Sequence, residues 1–180
     1  MTATRFAPHV DHLRRAAVAG AMIAAVGVLG ACDDDPNEAN IVAVDYAFQN
    51  VPDEVDTETV FSLRNDSNVE VHEVVAFPLP DELDGTAEEI LSLPEEELEA
   101  VFAGPPAMVL VVAPDGEEIS VGDSTLPEPG RYILFCGIPT GADPAAFMAA
   151  AATSDGPPDV PGGPPHFVQG MATTIEVTAP

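Results

Sequence analysis

The chain has 180 residues and a formal charge of −26, from five arginines, no lysine and 31 acidic residues. Such a field repels nucleic acid and anionic headgroups, which excludes a nucleic-acid partner and favours cationic ones. The length suits one domain with a sizeable core plus a leader or tail.

Residues 1–15 are polar and basic, and Ala16 to Leu29 is an unbroken apolar run of 14, closed by Leu29-Gly30-Ala31-Cys32. That run falls short of the roughly 20 residues a bilayer span requires but fits the apolar centre of a signal peptide. The last four residues resemble a bacterial lipobox, because Leu29 occupies a position where ordinary signal peptidase wants a small side chain. Residues 1–31 are therefore expected to be a lipoprotein signal peptide, and Cys32 the lipidated residue that anchors an exported protein to the outer face of the cell membrane. Removing the leader leaves two arginines against 30 acids, about −28.

Residues 32–40 are acidic and without apolar periodicity, and are expected to form a flexible tether to a domain spanning 41–180. From Ile41 the pattern is strand-like, with Val42, Val44, Tyr46 and Phe48 predicted on one face, followed by Thr59, Phe61 and Leu63 after an acidic turn. Glu70 to Phe77 is apolar on both faces, which predicts a central strand with His72, Val74 and Ala76 on one side. An insertion over about 81–104 predicts two short helices, since Thr86-Ala87-Glu88-Glu89 and Ser92-Leu93-Pro94-Glu95 both have the capping-box pattern. The acidic run Glu95 to Glu99 reads as a solvated helix face, with no nucleophile or histidine near it to make an acid–base site.

Strands are predicted again at Ala107–Ala113, Glu117–Val121 and Arg131–Cys136, the last apolar on both faces and ending at a thiol. An Ala/Pro/Gly-rich insertion over about 142–163 opens with a helix begun by Asp143-Pro144. Met171–Thr178 alternates as a final strand. The count implies an all-β sandwich of about seven to eight strands with short helical insertions.

After the leader, the chain holds two histidines, His72 and His166, and one thiol apart from Cys32, Cys136; Met171 follows His166 closely. Singly, a strand histidine is most often a structural residue and a buried cysteine a small hydrophobe. Together, two imidazoles, a thiolate and a thioether are the donor set of a type 1 (blue) copper site. An exported free thiol is also open to oxidation unless it is buried or metal-bound.

Three stretches resemble the cupredoxins, specifically the plastocyanin/azurin-like small blue copper proteins. Leu63-Arg64-Asn65-Asp66-Ser67 with Val71-His72-Glu73 is similar to the family's N…HE strand pair. Gly130 to Cys136 is similar to its G-x-Y-x-F-x-C strand, and His166-Phe167-Val168-Gln169-Gly170-Met171 to its H-x₃-G-M loop. The resemblance implies a Greek-key β-sandwich holding one copper ion, with His72, Cys136 and His166 as equatorial ligands and Met171 as a weak axial one. It further implies an electron carrier serving redox proteins of the cell envelope and not an enzyme. Two departures stand out. Twenty-nine residues separate Cys136 from His166 where the family has a short loop, and Glu73 follows the first histidine where an Asn is common. A copper chaperone or storage lipoprotein could use the same donors, and a non-metal interaction module could keep the sandwich without them.

Overall fold

The alternating apolar runs form nine strands in two sheets, and the computed structural model describes residues 37–154 and 156–180. The leader, Cys32 and residues 32–36 of the expected tether lie outside the described residues. The smaller sheet contains β1 (Glu38–Val44), β2 (Ala47–Gln49) and β4 (Val60–Asn65) in the order β2-β1-β4, with β1 parallel to β4. The larger contains β3 (Glu54–Asp56), β9 (Ala172–Thr178), β8 (Gly130–Phe135), β5 (His72–Pro78), β6 (Met108–Val112) and β7 (Ile119–Val121) in that order. The two sheets pack as an all-β sandwich, as expected, and the strand count exceeds the expected seven to eight because β2, β3 and β7 are only three residues long.

The core between the sheets takes Ala39, Ile41, Ala43, Phe61 and Leu63 from one side and Val74, Ala76, Met108, Leu110, Leu134, Ile175 and Val177 from the other. Each large side chain among them contributes roughly 1.5–3 kcal/mol by leaving water. Strands β5 and β8 are apolar on both faces because the outer face of the large sheet is covered as well. There Phe77 and Ile133 meet Leu79, Ala87 and Ile90 in a second cluster, with Phe102 edge-on to Phe77 at a centroid distance of 5.0 Å. The covering elements are α1 (Ala87–Leu91) and α2 (Glu95–Val101), within the first insertion.

Three sequence expectations change. Strand β1 starts at Glu38, so residues 38–40 pair with β4 and are not tether. Ala39, Ile41 and Ala43 face the main core and Val42 is buried as well, but the predicted Val42, Val44, Tyr46 and Phe48 do not form one strand face, because the chain turns at Asp45-Tyr46, where Val44 pairs with Ala47 and Tyr46 takes φ 61°. The Thr86 capping box forms, but the one predicted at Ser92 does not. Ser92 instead ends α1, its Oγ donating to the Glu88 carbonyl at 2.7 Å, and Pro94 in extended conformation begins α2 without a side-chain cap. The outer edge of β4 is closed by non-strand groups: Phe61 N–H donates to the Ser124 carbonyl at 2.8 Å and Leu63 N–H to the Glu118 carboxylate.

Candidate metal centre

Antiparallel pairing brings the predicted ligands together. His72 opens β5, Cys136 follows the last residue of β8, and Met171 precedes β9; since Val75 pairs with Phe135 and Phe135 with Ala172, all three fall at the same end of the large sheet. His166 is carried there by a 3-10 turn, His166–Gln169, which ends at Gly170 with φ 104°, a left-handed conformation that glycine adopts without strain. Backbone bonds then clamp the loop to the strand end: His166 N–H donates to the Ile138 carbonyl (3.0 Å), Phe167 N–H to that of Cys136 (2.9 Å), and Cys136 N–H to that of Met171 (3.1 Å).

The nearest donor atoms of His72, Cys136 and His166 all lie within 4.8 Å of one another, and the three side chains are buried. Cys136 Sγ is 3.2 Å from His166 Nδ1, and the two imidazole centroids are 5.0 Å apart. Neither ring nitrogen of His72, nor Nε2 of His166, has a hydrogen-bond partner although all are buried. Each such orphan costs about 1–3 kcal/mol, which a ligated ion would offset for a nitrogen it takes as donor. Two ligand atoms about 2.0–2.3 Å from one ion stand at most about 4.6 Å apart, so the spacing fits a single metal with little movement. The residues present therefore suit a metal with affinity for imidazole and thiolate. Met171 is fully buried in the same core as Cys136 and bonded to it and to His166 through the backbone.

Burial holds the His72 imidazole down to about 4, aided by the neighbouring His166, and lowers His166 as well. Both rings are thus neutral at physiological pH, as ligands must be. Burial pushes the Cys136 thiol up, with the Glu73 charge adding to it, so without metal it is a thiol. Glu73 is raised to about 7 by burial, against a bond from Gly137 N–H to its Oε1 at 3.0 Å; its own N–H points at Cys136 Sγ at 3.5 Å.

Two residues around the ligands carry roles that the sequence did not reveal. Glu70 is buried, its Oε2 3.4 Å from His166 Nε2, and its carboxylate accepts from Tyr46 Oη (3.2 Å) and Gly141 N–H (3.1 Å). Tyr46 leans edge-on against His166 at 5.1 Å. An acid before a strand and a tyrosine among strand residues read as ordinary; their partners lie many residues away, so no local pattern marks them. Asn65, within the N…HE stretch, ties β4 to β6 and to the connection between β4 and β5: its Nδ2 donates to the Glu70 and Val112 carbonyls, and its Oδ1 accepts from Ser67 N–H.

The 29 residues after Cys136 are closed at their base. Pro139 bridges Pro165, Thr140 N–H donates to the Pro164 carbonyl and Gly163 N–H to that of Thr140. Beyond that base, α3 (Pro144–Ala151), capped by Asp143 as expected, places Phe147 in the main core. The long insertion therefore leaves the start of the 166–171 loop held to the end of β8 by backbone contacts.

No family model matches the chain, and no curated protein does. Among solved structures, the sodium-dithionite-reduced auracyanin from the photosynthetic bacterium Roseiflexus castenholzii aligns at 16% identity and a TM-score of 0.42, covering 79% of this chain and 97% of that one. Auracyanin B aligns at 16% identity and 0.36, covering 78% and 88%. The chain's own two-sheet architecture, with His72, Cys136 and His166 gathered in one buried cluster and Met171 beside them, is consistent with a cupredoxin.

Proposed function

We propose that this protein is a type 1 copper protein that carries single electrons between redox partners in the cell envelope. The observation that carries the reading is the buried His72–Cys136–His166 cluster, in which neither ring nitrogen of His72 has a hydrogen-bond partner. His72, Cys136 and His166 would hold the ion and Met171 would serve as a weak axial donor; bound copper supplies the Cu(II)/Cu(I) couple. The chain contributes a dry, fixed arrangement: β5, β8 and the clamped 166–171 loop hold the donors, which limits rearrangement when charge changes. Complete burial of all three ligands favours a held ion over one passed to a recipient, which needs an accessible donor. The chain acts as a carrier, not an enzyme. Cys32 would anchor it at the outer membrane face, and the acidic surface would attract cationic redox proteins.

Adding Cu(II) to the purified protein should produce an intense visible thiolate-to-copper band that bleaches reversibly on reduction. Cys136→Ser should abolish the band. Met171→Leu should keep copper and raise the potential, since Cu(II) loses more than Cu(I) from the deletion. His72→Ala should weaken binding although it lies 64 residues before Cys136. Wild-type affinity and spectrum in His72→Ala would falsify a fold-assembled site.

A further inference from the structure

Glu70 is placed where three separate parts of the fold meet. Its carboxylate takes the hydroxyl of Tyr46 from the β1–β2 turn, the N–H of Gly141 from the base of the long insertion, and faces Nε2 of His166 at 3.4 Å. Its backbone is fixed as well, the N–H donating to Ser67 Oγ and the carbonyl accepting from Asn65 Nδ2. The carboxylate therefore has little freedom to turn away. His166 is fully buried, and Glu70 Oε2 lies within ion-pair range of its Nε2, at 3.4 Å, without forming a hydrogen bond to it. A carboxylate is acceptor-only when ionised. An oxygen of that kind facing Nε2 favours the ring proton on that nitrogen, which would leave the lone pair on Nδ1, the nitrogen that stands 3.2 Å from Cys136 Sγ.

Tyr46 supports the same reading. A tyrosine at φ 61° is in a left-handed conformation that is unfavourable for a side chain of its size and persists only where its surroundings enforce it. Its ring packs edge-on to His166 while its hydroxyl bonds Glu70, so the turn encloses the imidazole and the carboxylate together.

We propose that Glu70 is a positioning residue for the metal centre: it fixes the tautomer and orientation of His166 and fastens the base of the 137–165 segment over that ring. The inference rests on the copper reading above, but its decisive readout is made without metal. In reduced, metal-free, ¹⁵N-labelled protein, the His166 ring should show the Nε2–H tautomer. In Glu70→Gln, the carboxamide oxygen stays under Gly141 N–H and Tyr46 Oη and the NH₂ turns toward Nε2, so the population should move toward Nδ1–H. Copper affinity of that variant should fall about 10–100-fold, the usual loss when such a partner is removed. In Glu70→Ala, exchange of the Gly141 amide should quicken about tenfold or more, because a bond to a charged acceptor is gone.

The Gln variant keeps the side-chain volume, and its amide spectrum shows whether the fold is retained. An unchanged Nε2–H tautomer in both folded variants, with copper affinity within about twofold of wild type, would overturn the assignment and reduce Glu70 to a structural tie. A wild-type protein that took up no copper would overturn the copper reading alone, leaving the tautomer to decide on Glu70.

Discussion

Glu73→Gln offers a test of site electrostatics that needs no metal. In the folded protein the Glu73 carboxyl is raised to about 7, from an ordinary 4.5, by burial, and the His72 imidazole is lowered to about 4, from 6.5, by burial. The two act on stability in opposite directions. A carboxyl whose folded value is raised contributes stability that is present in full below about pH 4.5 and lost as pH rises through about 7. An imidazole whose folded value is lowered contributes stability present above about pH 6.5 and lost as pH falls toward 4. Each slope is at most about 1.4 kcal/mol per pH unit, so between pH 4.5 and 6.5 they largely cancel in the wild type. Gln keeps an oxygen for the Gly137 N–H, which lies 3.0 Å from Oε1, and removes only the titration. The stability difference between variant and wild type should therefore grow in favour of Gln from pH 4.5 to 7.5. The total is at most about 3 kcal/mol, and nearer 2 where water screens the carboxylate. Urea unfolding followed by far-ultraviolet circular dichroism, with reductant and chelator, measures it; the other acids are common to both proteins and drop out. A difference that does not vary with pH would show that Glu73 is solvated and that the environment inferred beside Cys136 is wrong.

Asn65→Ala should destabilise the protein by about 2–3 kcal/mol in the same unfolding measurement. It strips partners from the Glu70 and Val112 carbonyls and from the Ser67 N–H at once. A loss under about 0.5 kcal/mol would mean that water replaces those bonds. Cys32→Ala should abolish lipid attachment and move the protein from the detergent phase to the aqueous phase. Equal mass increments and equal partitioning of variant and wild type would refute the lipoprotein assignment.

The central strands were readable because β5 and β8 are apolar on both faces, and only a strand covered on both sides has that pattern. The clustering of His72, Cys136 and His166 was foreseeable because residues 33–180 hold only those two histidines and that one thiol. What stayed hidden depends on long-range contact. Glu70 looks like an exposed acid until the Gly141 backbone, 71 residues on, arrives to bond it. The predicted face ran on through Tyr46 and Phe48 because a tyrosine in a left-handed turn leaves no local signature. Ser92 satisfied a capping pattern on paper, yet one hydroxyl cannot both close α1 and open α2, and the closing bond to Glu88 won.

The closed edge of β4 bears on how these molecules tolerate crowding. An outermost strand normally displays a row of free N–H groups on which a second chain can build, the route to domain exchange and to cross-β aggregates. Here Phe61 and Leu63 spend theirs on Ser124 and Glu118 of the same chain, so a neighbour finds no donors to pair with at those positions. At the far rim of the larger sheet, β7 is only three residues long, too short to template much. Strand addition by a second copy is thus disfavoured at β4 and at β7 by two different means, occupied donors at one and shortness at the other.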